Sequence, residues 1–197
     1  MKKSCLLMLF SGSLFLAACS LNHVPKHNTE WREQRDWRVF EAEGRIGVQI
    51  QERGQTAHFD WIRRNGVETL NVNTPIGTTV GQLCQDAEGV LAVDSGGQVY
   101  FAESAETLSR NLLGYALPAQ YLLVWANGEW VKGVPYELHQ DGSLNQSGWR
   151  IGREADERGL ARILMLENEQ LILRMVFSES RREEGRTDKQ ERCEARP

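Results

Sequence analysis

The most definite chemistry in the sequence sits near its start, where Leu16-Ala17-Ala18 runs directly into Cys19. Lys2 and Lys3 precede an apolar stretch from Leu6 to Ala18. A basic start, an apolar run of roughly 7–15 residues and a small-residue cleavage site make a secretory leader. A cysteine directly after that site makes it a lipoprotein leader. The Cys19 thiol is diacylated, the chain is cut before it, and the new amine receives a further acyl chain. The alternative, an uncleaved membrane anchor, needs about 20 apolar residues to cross a bilayer, and this run is shorter. Residues 1–18 are therefore expected to be removed, leaving lipidated Cys19 as the first residue.

Little else offers chemistry. Cys5 leaves with the leader and Cys19 becomes a thioether. Cys84 falls in a strand-like run and Cys193 in a charged tail, so a bridge between them is not expected. His23 and His27 lie in the tether, and His58 and His139 fall on separate strands without ligand-spaced partners. The chain has no Walker loop, no G-x-S-x-G and no H-E-x-x-H. No catalytic residue, metal site or cofactor is nominated, and an enzyme is not the expected function. The formal charge is −4, and loss of Lys2 and Lys3 makes the mature chain more acidic. Nucleic-acid binding needs a concentrated basic patch and is not expected. Membrane attachment falls to the acyl chains, because two or more anchor stably while one does not.

The elements behind Cys19 begin with a tether, Ser20–Asn28, that is polar and contains Pro25. Residues 30–43 predict a helix, with Thr29 as N-cap and Trp37, Phe40 and Gly44 on one face. Period-two alternation follows. Ile46, Val48 and Ile50 share a side, then Ala57, Phe59 and Trp61, then Leu70 and Val72, then a strand over Val80–Cys84. Leu91 and Val93 pair with Val99 and Phe101 across the Asp94-Ser95-Gly96-Gly97 turn. Two helices interrupt this antiparallel meander. One starts at Ser104 and carries Leu108, Leu112 and Leu113 before Gly114; the other covers Ala119–Ala126 after Pro118. Strands resume near 129–131 and 136–139, and again over 148–153, 162–167 and 170–177. Residues 178–197 alternate Arg, Lys, Glu and Asp, so a charged, disordered tail is expected.

Six tryptophans in such a meander fit either a packed core or an open barrel with an apolar cavity under the two helices. The loop Asn73-Thr74-Pro75-Ile76-Gly77-Thr78-Thr79 favours the second. Pro75 and Gly77 suit a type I turn, which puts Ile76 at the tip among polar residues. Turn tips usually carry Asn, Asp, Ser or Gly. Ile76 either folds back as a plug or projects as an apolar probe able to enter a bilayer.

Together these residues resemble the family of the outer-membrane lipoprotein receptor LolB. The likeness runs from the lipobox at Cys19 to about Phe177. It takes in the N-terminal Trp-rich helix, the Asn73-x-Pro75-Ile76-Gly77 loop, the Thr-Thr-Val strand after it, Pro118, Leu122, Trp125 and Gly128 in order, and Trp149 opening a late strand. The resemblance implies a mainly β fold with helices: an incomplete, half-open antiparallel β-barrel with an α-helical lid over an apolar cavity. Candidate lining and lid residues are Ile46, Val48, Phe59, Trp61, Leu70, Val72, Leu108, Leu112, Leu122, Trp125 and Trp149. It further implies an outer-membrane lipoprotein that takes lipoproteins from the periplasmic carrier LolA and inserts them into the inner leaflet of the outer membrane. Pro75, Ile76 and Gly77 would form the insertion loop, with Ile76 at the position of the family's protruding leucine. Ser20 after the lipidated cysteine fits outer-membrane sorting. The partners implied are a LolA-like carrier, the acyl chains of cargo and the outer membrane itself, for a chain acting as a monomer. Residues 1–18 would be the leader, 19–29 the lipidated tether, 30–177 the lipid-binding domain and 178–197 the tail. An electropositive patch from Arg45, Arg63 and Arg64 is one guess for the carrier-docking face. The competing function is a structural, scaffolding envelope lipoprotein with a packed β domain.

Overall fold

Period-two alternation governs most of residues 30–197, which the computed structural model describes. The leader, Cys19 and the tether to Thr29 lie outside the described residues. The chain forms β1 (Arg32–Glu33), β2 (Trp37–Ile50), β3 (Arg53–Arg64), β4 (Val67–Asn73), β5 (Thr79–Asp86), β6 (Gly89–Asp94) and β7 (Val99–Ala102). Helices α1 (Ala105–Leu113) and α2 (Ala119–Ala126) follow. The rest comprises β8 (Glu129–Trp130), β9 (Tyr136–Leu138), β10 (Leu144–Gln146), β11 (Trp149–Ala155), β12 (Ala161–Glu167) and β13 (Leu171–Glu184).

Eleven strands make one antiparallel sheet in the order β7-β6-β5-β4-β3-β2-β13-β12-β11-β10-β9, while β1 and β8 pair in parallel beside it. Strands β7 and β9 are its two edges, so the sheet is not closed into a barrel. One face is apolar and carries both helices; the other bears ion pairs such as Glu41 with Arg64 and Arg181, together with a small cluster of Cys84, Leu91 and Cys193. The helices obey their sequence signals. Ser104 accepts a hydrogen bond from the Thr107 amide at 3.2 Å, and Gly114 ends α1 at φ 85°. That left-handed conformation favours glycine.

Three expectations fail. Residues 30–43 form β1 and the start of β2 rather than a helix. Trp37 and Phe40 have helical spacing, but Phe40, Ala42 and Gly44 also alternate, and pairing with β3 and β13 selects the strand. Residues 178–184 continue β13 instead of starting a disordered tail, with Glu184 opposite Trp37. Their charges are matched across strands: Arg181 pairs with Glu41, Glu183 with Arg38 and Glu184 with Arg35. Beyond Glu184 the chain packs against β4 and β5. Cys193 forms a disulfide with Cys84, contrary to expectation, and both sulfurs are buried with Leu91 on the face away from the helices. The Arg196 guanidinium makes two 2.6 Å bonds to the Asp86 carboxylate. Composition shows only how much apolar surface a segment has, not the partners that its charges find across the sheet.

Gly44 has a steric reason to be glycine. A Cβ there would lie 2.0 Å from the Val176 carbonyl oxygen, because β13 closes on β2 beside its bulge at Phe177.

Candidate lipid-binding face and exposed loop

The apolar face of the sheet is lined from both halves. Phe40, Phe59, Trp61 and Leu70 come from β2–β4, and Ile151, Leu164, Leu173 and Met175 from β11–β13. Phe40 packs edge-on against Trp61, and Phe59 against Phe177. Helix α2 lies on this surface through Leu122, Leu123 and Trp125. Trp125 donates its indole N–H to the Gln146 side chain at 2.9 Å, and Gln146 also bonds both backbone groups of Val131.

The two ends of α2 are held differently. At its C-terminus, the Arg153 Nε donates to the Ala126 carbonyl at 2.8 Å, and Arg182 donates to the Asn127 side chain at 3.0 Å. Cations at a helix C-terminus also complement its dipole. Burial, with Arg182 nearby, pulls the Arg153 guanidinium down to about 10, so it remains charged at neutral pH. Glu129 follows directly, 0% exposed, accepting from Arg35 Nε and the Trp37 indole at 3.1 Å each. The N-terminal half of α2 rests instead over a small gap between Trp61, Glu68, Leu70, Leu83, Gln85, Ala119 and Leu122, of about 10 Å³. That is room for about one water molecule. Burial pushes the Glu68 carboxyl up from its ordinary value, against the pull of Arg63 and the Trp61 indole.

Helix α1 is shallower. Only Ala105 and Leu108 are buried in it, against Val90 and neighbouring residues of β6 and β7. Of the candidate lining residues, Phe59, Trp61, Leu70, Leu108, Leu122, Trp125 and Trp149 are buried, and Ile46 and Val48 pack against the same core. Val72 is half-buried at the end of β4. Leu112 departs from expectation: it is 42% exposed at the end of α1, beside Leu113. Leu122, Leu123 and Trp125 of α2 cover part of the apolar face, while Ile46, Val48 and Val72 stay half-buried. Arg63 and Arg64 do not form the guessed electropositive patch, because they pair with Glu68 and Glu41.

The β4–β5 loop is an ordered turn. The Gly77 amide donates to the Thr74 carbonyl at 2.9 Å, closing four residues with Pro75 second, and Gly77 takes φ 86°. Ile76 at the tip is 89% exposed, so it projects and does not fold back. Sequence reasoning named Asn73 only as part of the loop, not as the side chain that organises its root, and missed Glu129 and Arg153 at the α2 terminus, whose only sequence signal is polarity inside strand-like runs. Among the described residues, no group of three or more His, Cys, Asp or Glu is placed to hold a metal ion, and no helix is long and apolar enough to cross a membrane.

The described residues form an open antiparallel sheet with two helices packed on its apolar face and an exposed apolar loop tip, a mainly β class of domain. Relatives name the particular family. Residues 38–179 match the sequence profile of the family described as outer membrane lipoprotein LolB. The outer-membrane lipoprotein LolB of Neisseria meningitidis is 49% identical over 93% of this chain and 94% of its own. That of Chromobacterium violaceum is 30% identical over 76% of this chain and 83% of its own. A Vibrio parahaemolyticus domain crystallised under the description of outer membrane lipoprotein-sorting protein superposes distantly, with TM-score 0.48 and 11% identity over 77% of this chain and 88% of that one. The chain belongs to the LolB family. It is an outer-membrane, lipid-anchored lipoprotein that serves as a receptor in lipoprotein localisation.

Proposed function

We propose that this chain takes the acyl chains of lipoproteins from a soluble LolA-type carrier onto the apolar face beneath α1 and α2. It then releases them into the inner leaflet of the outer membrane, with Ile76 entering that leaflet. The exposed Ile76 at the tip of an ordered turn carries the reading. An isoleucine there gives the water-soluble domain nothing, whereas it gains an environment at a bilayer.

The physics constrains the acceptor. An acyl chain of ~15 methylenes loses roughly 12 kcal/mol of transfer free energy if left in water. A gap of about 10 Å³ cannot shelter it, so acceptance requires the helices to move. The clamped C-terminus of α2 makes the region near Asn127 and Gly128 the pivot, and the shallow α1 the part that lifts. Cys19, lipidated, holds the domain beside its target. Without a nucleotide site in the sequence, transfer runs downhill from carrier to face to bilayer.

The test uses cargo lipoprotein loaded on its carrier. The mature protein should receive cargo, and Ile76→Glu should receive it equally while failing to deliver it to liposomes. If no cargo moves onto the protein, the acceptor reading falls; if Ile76→Glu delivers normally, Ile76 has no part in insertion.

A further inference from the structure

An isoleucine that is 89% exposed needs something to keep it out. Val80, partly exposed, lies on β5 directly after the loop, and burying apolar surface against it would be favourable. Pro75, with its fixed φ, and Gly77 shape the turn, but neither ties it to the sheet. The tie is at its root.

Asn73, the last residue of β4, is only 8% exposed although every residue from Pro75 to Val80 is exposed. Its side-chain amide donates to the Asp60 carboxylate on β3, and its side-chain oxygen accepts from the Thr79 hydroxyl on β5 at 2.8 Å. One side chain thus joins three adjacent strands where the β4–β5 register shifts, between Val72 and Asn73. Within the loop, the Thr74 amide donates to the Thr78 carbonyl at 2.8 Å, and the Thr74 hydroxyl accepts from the Thr78 amide at 3.1 Å.

We infer that Asn73 is a positioning residue for lipid insertion: with Asp60 and Thr79 it braces the β4–β5 loop so that Ile76 is presented as a fixed apolar peg and cannot collapse onto the sheet. Bonds at a bulge fix the direction in which the following residues leave the sheet. A pre-ordered tip also spends less of its membrane interaction on ordering. The inference rests on the insertion role of Ile76 given above and assigns the groups that enforce it.

Loop order and cargo delivery are read separately. In the mature lipidated protein, Cys19 is acylated and Cys84 is joined to Cys193, so Thr78→Cys supplies a unique thiol for a nitroxide. Its spectrum reports loop motion without cargo. Asn73→Ala and Asp60→Ala should mobilise the label and slow delivery to liposomes several-fold, with cargo still co-purifying at the wild-type level. Asp60→Asn, which can still accept from the Asn73 amide, should restore both readouts. Thr79→Val, an exposed and nearly isosteric change, gives a milder version of the same effect and covers the case in which Asn73→Ala fails to fold. Wild-type label mobility in Asp60→Ala and Thr79→Val overturns the brace. So does a mobile label with unchanged delivery when Ile76→Glu still fails to deliver, or equal loss of acceptance and delivery. A mobile label in Asn73→Ala together with normal delivery by Ile76→Glu would instead leave the brace standing and remove the insertion reading.

Discussion

Asp86 shows how one carboxylate can hold a whole segment in place. It accepts from Arg196, from the Cys193 amide at 2.8 Å and from the Glu88 amide at 2.9 Å. The Arg196 bonds are the main cause that lowers its pKa to about 2 from an ordinary 3.8. A folded-state pKa below the unfolded value adds stability that is complete above the unfolded pKa and lost as pH falls through the folded one. The stability that this contact adds between the C-terminal segment and β5 should therefore be lost between about pH 4 and pH 2, with the Cys84–Cys193 bridge still joining the two. Melting temperatures across that window should fall more steeply for the wild type than for Asp86→Asn, which has no such proton to take up; parallel curves would assign the acid sensitivity elsewhere. Gly44 is the other residue whose identity is forced. With the Val176 carbonyl 2.0 Å from a would-be Cβ, Gly44→Ala should destabilise the protein by about 1–3 kcal/mol, as overpacking does. Urea unfolding measures it.

At the scale of elements, the unequal anchoring of the two helices is the feature that a lipid acceptor can use. The end of α2 is fixed by Arg153, Arg182 and the buried Glu129, while α1 buries only Ala105 and Leu108. Segments with few buried contacts open locally at lower free energy than the core. Hydrogen exchange should accordingly find the amides of α1 and residues 114–118 exchanging well before those at 123–128. Uniform protection across both helices would argue against a lid that lifts from the α1 side. Leu108→Ala removes the larger of the two buried anchors and should quicken exchange of α1 further, at a local cost of about 2–4 kcal/mol.

For the whole molecule, the C-terminal segment closes a long covalent loop. Cys84 and Cys193 are separated by 109 positions, and a link of that span stabilises by about 4–5 kcal/mol in the chain-entropy treatment. Cys84→Ser with Cys193→Ser should lower unfolding free energy by up to that amount, read from urea midpoints. The wild type under strong reductant should follow the variant. This strap lies beyond residues 38–179 that match the family profile, and it braces β5, the strand that leaves the Ile76 loop. Much of the rest was legible beforehand. The strand alternation from Ile46 to Phe101, the Ser104 cap, the Gly114 stop and the apolar tip at Ile76 are local signals, carried by residue types within a few positions of one another. Such signals depend on period, capping and turn chemistry, and these are properties of neighbouring residues. The strand at Trp37–Gly44, the continuation of β13 to Glu184, the Cys84–Cys193 bridge, the Asn73 hub and the Arg153 clamp were decided only by the tertiary structure. Each depends on a partner brought from far along the chain, and a charged or helix-like segment changes meaning once that partner matches its charges or completes its ladder.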